Sequence, residues 1–577
     1  MTQEQSNRNN TKRNCIIIIF SIIGLIACIS VLFPQIRRMI LNLVVQVLHK
    51  EPFSYESSFN HLLSLASGGI CFILFFDYCT LTNQGRALVQ KVKREIIDCL
   101  SEIDYKVFVK PILLMSGIYL LGILTIIRAN FLYLDDLRRA LTGARIWYDY
   151  SRYVSEIASI FVHGDTNITD ISPLPQLIAI FILAISGVLL VYVIGNRKLT
   201  VTGSLASVPL GLSPYFLECL SFKFDAPYFA LSILASIIPF LFITRKKAFM
   251  FVSIVSLLVM CMTYQAASGI YVMIVLFLCF KDWSNRKKAN KEILSFAGMA
   301  AVAFCSSLLL FRFFIMKSVE YDTDHALTKM YSLNKIIPGI LNNIKDYAIT
   351  INSDLSIIWK ICILLIVFFF IIRSMYKSEH KKILSFFISI IFICLSFVLS
   401  FGAYIFLETL DFSPRMLMGF GVFLAIICIY VTEYNKSATL AVLALNWCFF
   451  VFAFSYGNAL ADQVRYTEFR IGLLLHDLST LDTNLDKDDI SIQMKSSIDY
   501  TPTVMNISKH APVIERLVPK GLGDVYWGPN YCLEHYNFAP YKYTFDRIDI
   551  LDLTVVLDSY YHTIKSDGEN ILVIIKH

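Results

Sequence analysis

Two adjacent carboxylates and two arginines follow a long apolar run in the first third of the chain. The apolar run ends near Ile127, and the segment Asp135-Asp136-Leu-Arg138-Arg139 comes soon after it. Charges placed where a helix leaves a bilayer are costly and usually functional. One carboxylate can serve as a general base while its neighbour positions an acceptor or a cation. The segment therefore predicts the reactive part of a membrane enzyme.

The same four side chains also have a purely structural interpretation. Adjacent residues on a helix point about 100° apart, so at most one carboxylate faces a given substrate atom. Asp135 and Arg139 are four residues apart and can form an ion pair on one helix face. Such a pair would neutralise the end of the helix. The residues alone leave both interpretations open.

A second polar segment runs from Ser213 to Pro227 between two apolar runs. It carries Glu218, Lys223 and Asp225 among several aromatic residues. Polar groups beside aromatic faces suit sugar binding, whereas a solvated turn within an aromatic belt would look the same. We therefore treat the three charged residues as candidates for binding sugar or acceptor.

Two shorter segments complete the candidate site. Tyr264-Gln265 separates two short apolar runs, where the pair can bind a buried ligand or form a turn. Arg415 follows Phe412-Ser413-Pro414 at the outer end of an apolar run. A guanidinium group binds phosphate well, although an arginine there can also simply extend towards the interface.

Other acidic residues point less clearly to a function. The run from Glu320 to His325 contains an Asp-x-Asp pattern, for which a solvated loop is favoured over a metal site. The first large loop carries four more carboxylates, which are Asp149, Glu156, Asp165 and Asp170. We predict no metal site, although a divalent cation could assist. The sequence has no phosphate-binding glycine loop, which argues against an ATP-driven pump.

Composition sets the class of the protein. Of the 577 residues, 56% are hydrophobic and 16% are charged, and the mean hydropathy is +0.61. Soluble domains have about a quarter charged residues, so this is a polytopic α-helical membrane protein. The net charge of +7 arises from Lys and Arg in short loops, which orients the chain in the membrane rather than binding nucleic acid. Most of the 14 cysteines lie in apolar runs and are interpreted as packing residues.

We predict about 13 transmembrane helices from runs of roughly 20 apolar residues. The short pair at 248–280 can instead be a tight hairpin or a re-entrant element. The positive charges place the N-terminus in the cytoplasm and the C-terminus outside. The predicted spans are 15–33, 62–78, 111–127, 173–195, 199–213, 226–244, 248–263, 267–280, 292–316, 356–372, 383–406, 416–431 and 437–456.

Three regions follow from these spans. Residues 1–110 hold the first helices and a cytoplasmic loop, with a short interfacial stretch at Ile40–Leu48. Residues 111–456 form the transmembrane core, with outer loops 128–172 and 317–355. Residues 457–577 form a small extracytoplasmic α/β domain.

The predicted tail domain has one helix and three strands. The helix lies at 464–481, and the strands lie at 490–494, 554–557 and 571–575. The tail can hold an acceptor polysaccharide or merely cap the helices. Its clustered aromatic residues slightly favour the first alternative, and they are Tyr526, Trp527, Tyr531, Tyr536, Tyr541 and Tyr543.

From about residue 111 onward, the order of the motifs resembles a known family. The acid pair with its arginines is followed by Gly143, Trp147 and Arg152, then by Pro214-Tyr215-Phe216-Leu217-Glu218 and by Phe224-Asp225. This order is similar to that of the bacteriophage-type serotype-converting O-antigen glucosyltransferases, the type II glucosyl transferase family of the GT-C superfamily. Ser151-Arg152 stands where that family usually has Gly-Arg.

The resemblance implies a GT-C-like fold in the bacterial inner membrane and a specific reaction. Such enzymes transfer a sugar, usually glucose, from a polyprenyl-phosphate donor to lipopolysaccharide O-antigen on the periplasmic face. The transfer would invert the anomeric carbon, with Asp135 or Asp136 as the base. A donor synthase and a flippase would supply the substrate. The implied phosphate-binding residues are Arg138, Arg139 and Arg415, and the implied sugar- or acceptor-binding residues are Trp147, Arg152, Glu218, Lys223, Asp225, Tyr264 and Gln265.

Two alternatives come from other classes of membrane protein. A transporter or flippase of lipid-linked sugars would show paired halves and charges in mid-membrane. The ionisable residues here cluster on one face instead, which favours the enzyme. An O-antigen polymerase or ligase also spans the membrane many times, but the early Asp-Asp pair and the folded tail favour the transferase.

Overall fold

The computed structural model describes residues 56–286, 288–316, 330–332, 334–410, 412–433, 436–481, 491–522, 528–538, 542–543, 553–568 and 570–576. The chain is helical as far as Ser479 and then forms a mixed tail. The predicted stretches 15–33 and 40–48 and the acidic run 320–325 lie outside the described residues.

Eight helices among the described residues are long and apolar enough to cross a membrane. Each coincides with a predicted span, so the prediction of a polytopic helical membrane protein is confirmed. The eight are Lys106–Ala129, Leu174–Ile194, Gln265–Ser284, Asn290–Ile315, Ile357–Lys377, Lys382–Leu399, Pro414–Thr432 and Lys436–Ser479.

Other predicted spans form shorter helices. The region 199–213 was predicted as one span, but it forms two helices, Val201–Ala206 and Pro209–Leu212. A proline has no N–H to donate, so the first helix cannot continue through Pro209 with unbroken hydrogen bonding. Together the two cover about 18 Å, which is too short for a hydrocarbon core of about 30 Å. The count of 13 spans thus stays a prediction.

Among the other helices of the membrane region, Glu56–Leu81 has 26 residues and contains the predicted span 62–78, and the rest are shorter or lie in predicted loops. Ala226–Ile237 continues as a 3-10 turn to Phe242, and Lys246–Cys261 is a helix of 16 residues. The others are Asn83–Ser101, Asp135–Thr142, Tyr153–His163, Pro214–Ser221 and Ile336–Asp354.

The centre of the bundle is the helix Gly419–Thr432. Every residue from Gly419 to Val431 is buried, as expected for a helix that is apolar all round. Helices Leu174–Ile194, Ser268–Ser284 and Lys436–Ser479 pack around it. The largest core of the described residues therefore lies within the membrane region.

One helix joins the membrane region to the tail. Lys436–Ser479 is continuous over 44 residues, so the predicted span 437–456 and the predicted tail helix 464–481 are a single element. Its length is about 66 Å, about twice the thickness of a hydrocarbon core. The proposed boundary at residue 457 lies inside this helix, and the tail is attached without a linker.

A five-stranded sheet packs on the far end of this long helix. The strands are β1 Ser491–Lys495, β2 Lys542–Tyr543, β3 Thr554–Asp558, β4 His562–Ser566 and β5 Asn570–Ile575. Their order in the sheet is β2-β1-β5-β4-β3, with β1 parallel to its neighbours and β3, β4 and β5 antiparallel. The three predicted strands are confirmed, whereas His562–Ser566 was not predicted. Leu474 and Leu478 of the helix pack with the sheet core. Short helices Pro502–Ser508, Ile514–Leu517 and Gly528–His535 complete the tail.

Candidate functional site

The acid pair begins a short helix directly after the membrane helix Lys106–Ala129. Asn130 adopts a left-handed conformation that ends the membrane helix, and the short helix runs from Asp135 to Thr142. The turn into this helix places Asp135 at the surface and buries Asp136 completely. The two neighbours can therefore not share one role.

Asp136 joins two of the predicted motifs. Its Oδ2 accepts the backbone N–H of Tyr133 at 3.1 Å and that of Lys223 at 2.9 Å. Burial raises the pKa of the carboxyl group to about 8, against the lowering effect of the Lys223 N–H. Oδ1 has no hydrogen-bond partner among the described residues. This carboxyl group holds the loop before the helix against the loop around residue 223.

Arg139 pairs with Asp225 rather than with Asp135. Its guanidinium group forms a buried ion pair with Asp225 and lies 4.3 Å from the ring centroid of Trp147. The Trp147 indole N–H donates to the other Asp225 oxygen. The expected Asp135–Arg139 pair is replaced because Arg139 points inward. All three side chains are almost fully buried, which leaves Arg139 no face for a lipid phosphate.

Lys223 is likewise bound within the protein. Its Nζ donates to Asn130 Oδ1 at 2.7 Å and to Asp170 Oδ2 at 2.8 Å. The residue is 3% exposed. Lys223 therefore links the end of the membrane helix Lys106–Ala129 to the loop that carries Asp170.

Arg415 and Glu218 form another ion pair of the candidate site. Arg415 Nη1 lies 2.9 Å from Glu218 Oε1, and its backbone N–H donates to Glu218 Oε2. The guanidinium carbon lies 5.3 Å from the ring centroid of Phe222. About a quarter of the Arg415 side chain stays exposed, and its charge interacts with the Asp135 carboxylate. An exposed carboxylate and a partly exposed cation therefore interact electrostatically.

Arg152 supplies a second cation on the same side. Its guanidinium carbon lies 4.8 Å from the ring centroid of Tyr264 and 5.3 Å from that of Tyr150. Partial burial is the main cause of the raised pKa of Tyr150. The negative charge of Asp135 raises this pKa further, and the positive charge of Arg152 lowers it. Tyr264 interacts with both Arg415 and Arg152. Arg152, Tyr150 and Tyr264 therefore form one set of contacts, which interacts electrostatically with Asp135 and Arg415.

Some predicted residues contribute less directly. Gln265 is half-buried at the start of a helix beside Tyr264. Arg138 is half-buried, and its guanidinium carbon lies 5.9 Å from the ring of Tyr531 in the tail. Glu156 pairs with Arg145 at 3.1 Å.

Carboxylate clusters give no metal centre in the described part of the chain. No group of three or more His, Cys, Asp or Glu residues there has a metal-binding arrangement. Asp165 caps its own turn by accepting the N–H of Thr166 and Asn167, and Asp149 is exposed.

Sequence reasoning missed several residues around the site. Tyr150 lies against Arg152, and its place close to Trp147 in the sequence was an available signal. His163 stacks on Phe224, with ring centroids 5.7 Å apart. Asp354, which is buried, and Arg516, which is partly exposed, form a further ion pair. They are far apart in sequence, and nothing in the pattern of either segment indicated the contact.

Comparison with known proteins agrees with the motif order. A family model described as Glucosyl transferase GtrII matches residues 124–426, a range that contains every site residue from Asp135 to Arg415. The chain is 24% identical over 431 residues to an uncharacterized 55.3 kDa protein in the gtrB 5' region of Salmonella phage P22. The alignment covers 72% of this chain and 87% of the phage protein. No solved structure matches the chain.

Proposed function

Because the chain belongs to the Glucosyl transferase GtrII family, as its motifs predicted, we propose a specific glucosyl transfer reaction for it. The donor is a polyprenyl-phosphate-linked glucose, and the acceptor is lipopolysaccharide O-antigen. Transfer takes place on the periplasmic face of the bacterial inner membrane. The helix bundle has a GT-C-like arrangement in this proposal, and a donor synthase and a flippase supply the lipid-linked sugar.

One observation carries the proposal. Asp135 is exposed six residues after the end of a membrane-length helix at Ala129, and its carboxylate interacts electrostatically with Arg415 and with Tyr150. A base beside cations suits a reaction in which a hydroxyl loses a proton and a phosphate departs. A donor that reaches the site from the bilayer explains why these groups lie at the end of a membrane helix.

The reaction is a single displacement. The acceptor oxygen attacks the anomeric carbon from the face opposite the phosphate, while Asp135 takes the hydroxyl proton. The bond between the anomeric carbon and the phosphate oxygen breaks, and its electron pair leaves with the lipid phosphate. The configuration at the anomeric carbon is therefore inverted. A phosphate leaving group needs no second carboxylic acid, unlike the leaving alcohol of a glycosidase.

In this proposal the residues of the candidate site have two kinds of role and form two groups. Arg415 and Arg152 bind the donor phosphate, with Arg138 further out beside the tail, while Tyr264, Tyr150 and Gln265 line the sugar position. The second group positions the first through buried contacts, and it consists of Asp136, Arg139, Trp147, Glu218, Lys223 and Asp225.

The test replaces one carboxylate at a time in the full-length protein. Asp135→Asn should lower transfer from polyprenyl-phosphate glucose to O-antigen by about 100- to 10,000-fold, the usual contribution of a general base. The protein should still accumulate in membranes, because an exposed side chain is changed. Transfer is measured in membranes at matched protein levels.

Asp149→Asn is the matched control, since Asp149 is an exposed carboxylate of the same outer loop. It should retain near-normal transfer. Near-normal transfer by Asp135→Asn would rule out Asp135 as the base. Absence of transfer by the wild-type protein from this donor would rule out the proposed donor class.

A further inference from the structure

Part of the tail belongs to the core of the membrane region. Val513, Ile514, Leu517 and Val518 are essentially fully buried. They pack in the same cluster as the membrane helices, separate from the core of the tail sheet. We name Ala511–Val518 the docking segment. It contacts the chain just before Asp135 and the chain just before Arg415.

The first contact fixes the chain leading to Asp135. The backbone carbonyl of Leu517 accepts the Tyr133 hydroxyl at 2.8 Å and the Tyr456 hydroxyl at 3.2 Å. Tyr133 is 1% exposed, and its ring lies 4.8 Å from that of Phe222. Because Tyr133 is two residues before Asp135, the docking segment restrains the position of the proposed base.

The second contact fixes the chain leading to Arg415. The Arg516 guanidinium group pairs with Asp354 and donates to the backbone carbonyl of Phe412. Asp354 is 2% exposed and also accepts the Tyr215 hydroxyl at 3.1 Å. Phe412 is three residues before Arg415.

A single helix then closes this set of contacts. Tyr215 and Glu218 both lie on the helix Pro214–Ser221. Tyr215 reaches the Arg516–Asp354 pair, and Glu218 holds Arg415. Arg516 therefore restrains the backbone three residues before Arg415. Glu218 holds both the backbone N–H and the guanidinium group of Arg415.

We propose that Arg516 is a positioning residue for the donor phosphate, and that the docking segment aligns Arg415 with Asp135. The tail thereby takes part in glycosyl transfer through buried contacts, whether or not its outer surface binds the acceptor. This inference rests on the proposed function for its catalytic consequence. Its structural part can be measured without any substrate.

The experiment compares Arg516→Ala, Arg516→Lys and the wild type as full chains in lipid nanodiscs. Hydrogen–deuterium exchange is followed in peptides covering 412–418 and 131–137, and in strands β4 and β5 as a reference. Arg516→Ala should speed exchange at 412–418 and leave β4 and β5 unchanged. A lysine can pair with Asp354 but cannot hold a second acceptor in the same fork geometry, so Arg516→Lys should be intermediate.

Kinetics then test the consequence for the reaction. With polyprenyl-phosphate glucose as the probe, Arg516→Ala should lower kcat/KM for the donor by about 10- to 100-fold, as a misplacement of about 1 Å does. The KM for the donor should rise while the KM for the O-antigen acceptor stays unchanged, whereas a general loss of folded protein would lower only the apparent kcat and leave both KM values as in the wild type. Arg465→Ala is the control, because that tail arginine is 79% exposed.

The two proposals fail in different ways. Unchanged exchange at 412–418 in Arg516→Ala would overturn the positioning role, whatever the activity. Equal loss of protection throughout the chain would overturn it too, since the effect would then be one of global stability. Faster local exchange without any transfer by the wild type would leave the positioning role in place and refute the proposed function.

Discussion

Asp135 and Asp136 are adjacent in the sequence, yet the protein places their carboxyl groups in opposite environments. Asp135 is exposed and its charge interacts with Arg415 and Tyr150, whereas Asp136 accepts two backbone N–H groups in the interior. An exposed carboxylate can exchange protons with a substrate, and an enclosed one cannot. The pair thus consists of one candidate base and one residue that shapes the loop around it.

The buried carboxyl group predicts a pH dependence of stability. Burial raises the pKa of Asp136 from 3.8 to about 8 in the folded protein. The folded state therefore binds the proton more tightly than the unfolded state, and stability falls as the pH rises from about 4 to about 8. Asp136→Asn keeps an oxygen that accepts both N–H groups, and it removes this titration.

Thermal unfolding of the detergent-solubilised protein across this pH range checks the prediction. The wild type should lose stability with rising pH by more than Asp136→Asn does. Parallel curves for the two proteins would show that Asp136 does not titrate in this way.

Among the elements, the turn after the short helix Asp135–Thr142 sets the shape of the first outer loop. Gly143 has a φ of +66°, and a Cβ added there would overlap the side-chain amide of Asn167. The Gly143 carbonyl also accepts the N–H of Ile168 at 3.2 Å. This contact holds the segment of the loop that carries Asp170, the partner of Lys223, against the end of the short helix.

Two glycines in this loop allow strain to be separated from crowding. Gly164 has nearly the same φ, +68°, but a Cβ added there meets nothing within 4 Å. Each change to alanine should cost about 1–2 kcal/mol for the left-handed backbone. Gly143→Ala should cost more than Gly164→Ala and should also lower transfer. Unfolding and transfer assays on both variants check this, and equal effects would show that contact with Asn167 is unimportant.

In the molecule as a whole, ion pairs and a hydrogen bond link the predicted cytoplasmic loops to one another. Glu102 pairs with Arg197 at 3.5 Å and with Arg245 at 3.0 Å. Lys281 donates to Asn196 Oδ1 at 2.9 Å, and Arg373 pairs with Glu433 at 2.7 Å. The candidate site and the tail lie at the ends of the helices that lead away from these loops.

This arrangement predicts the sidedness of the protein. An epitope tag after His577 should be accessible to a membrane-impermeant reagent from the periplasm. A tag inserted at 378–381 should become accessible once the inner membrane is permeabilised. The opposite pattern would place the Asp135 site in the cytoplasm and would contradict transfer on the periplasmic face. Transfer activity of each tagged protein confirms that the tags leave the fold intact.

The sequence alone determined the class of the protein and the family, and its predicted spans and strands include the eight membrane-length helices and three tail strands of the described residues. These features depend on local patterns, namely apolar runs, alternation and the order of short motifs. It also named Asp135, Arg415 and Arg152 as candidates, because each carries its chemistry in its side chain, and their roles stay predictions. It did not separate the roles of Asp135 and Asp136, since both follow the same apolar run.

The tertiary structure alone decided which charges are satisfied inside the protein. It paired Arg139 with Asp225 and Arg415 with Glu218, and it brought Arg516 to Asp354 across 162 residues of sequence. Such contacts depend on how distant segments pack, which no local period or spacing encodes. Burial then determines whether a charged group is available to a substrate or bound to a partner, because an enclosed charge must be paired to be stable.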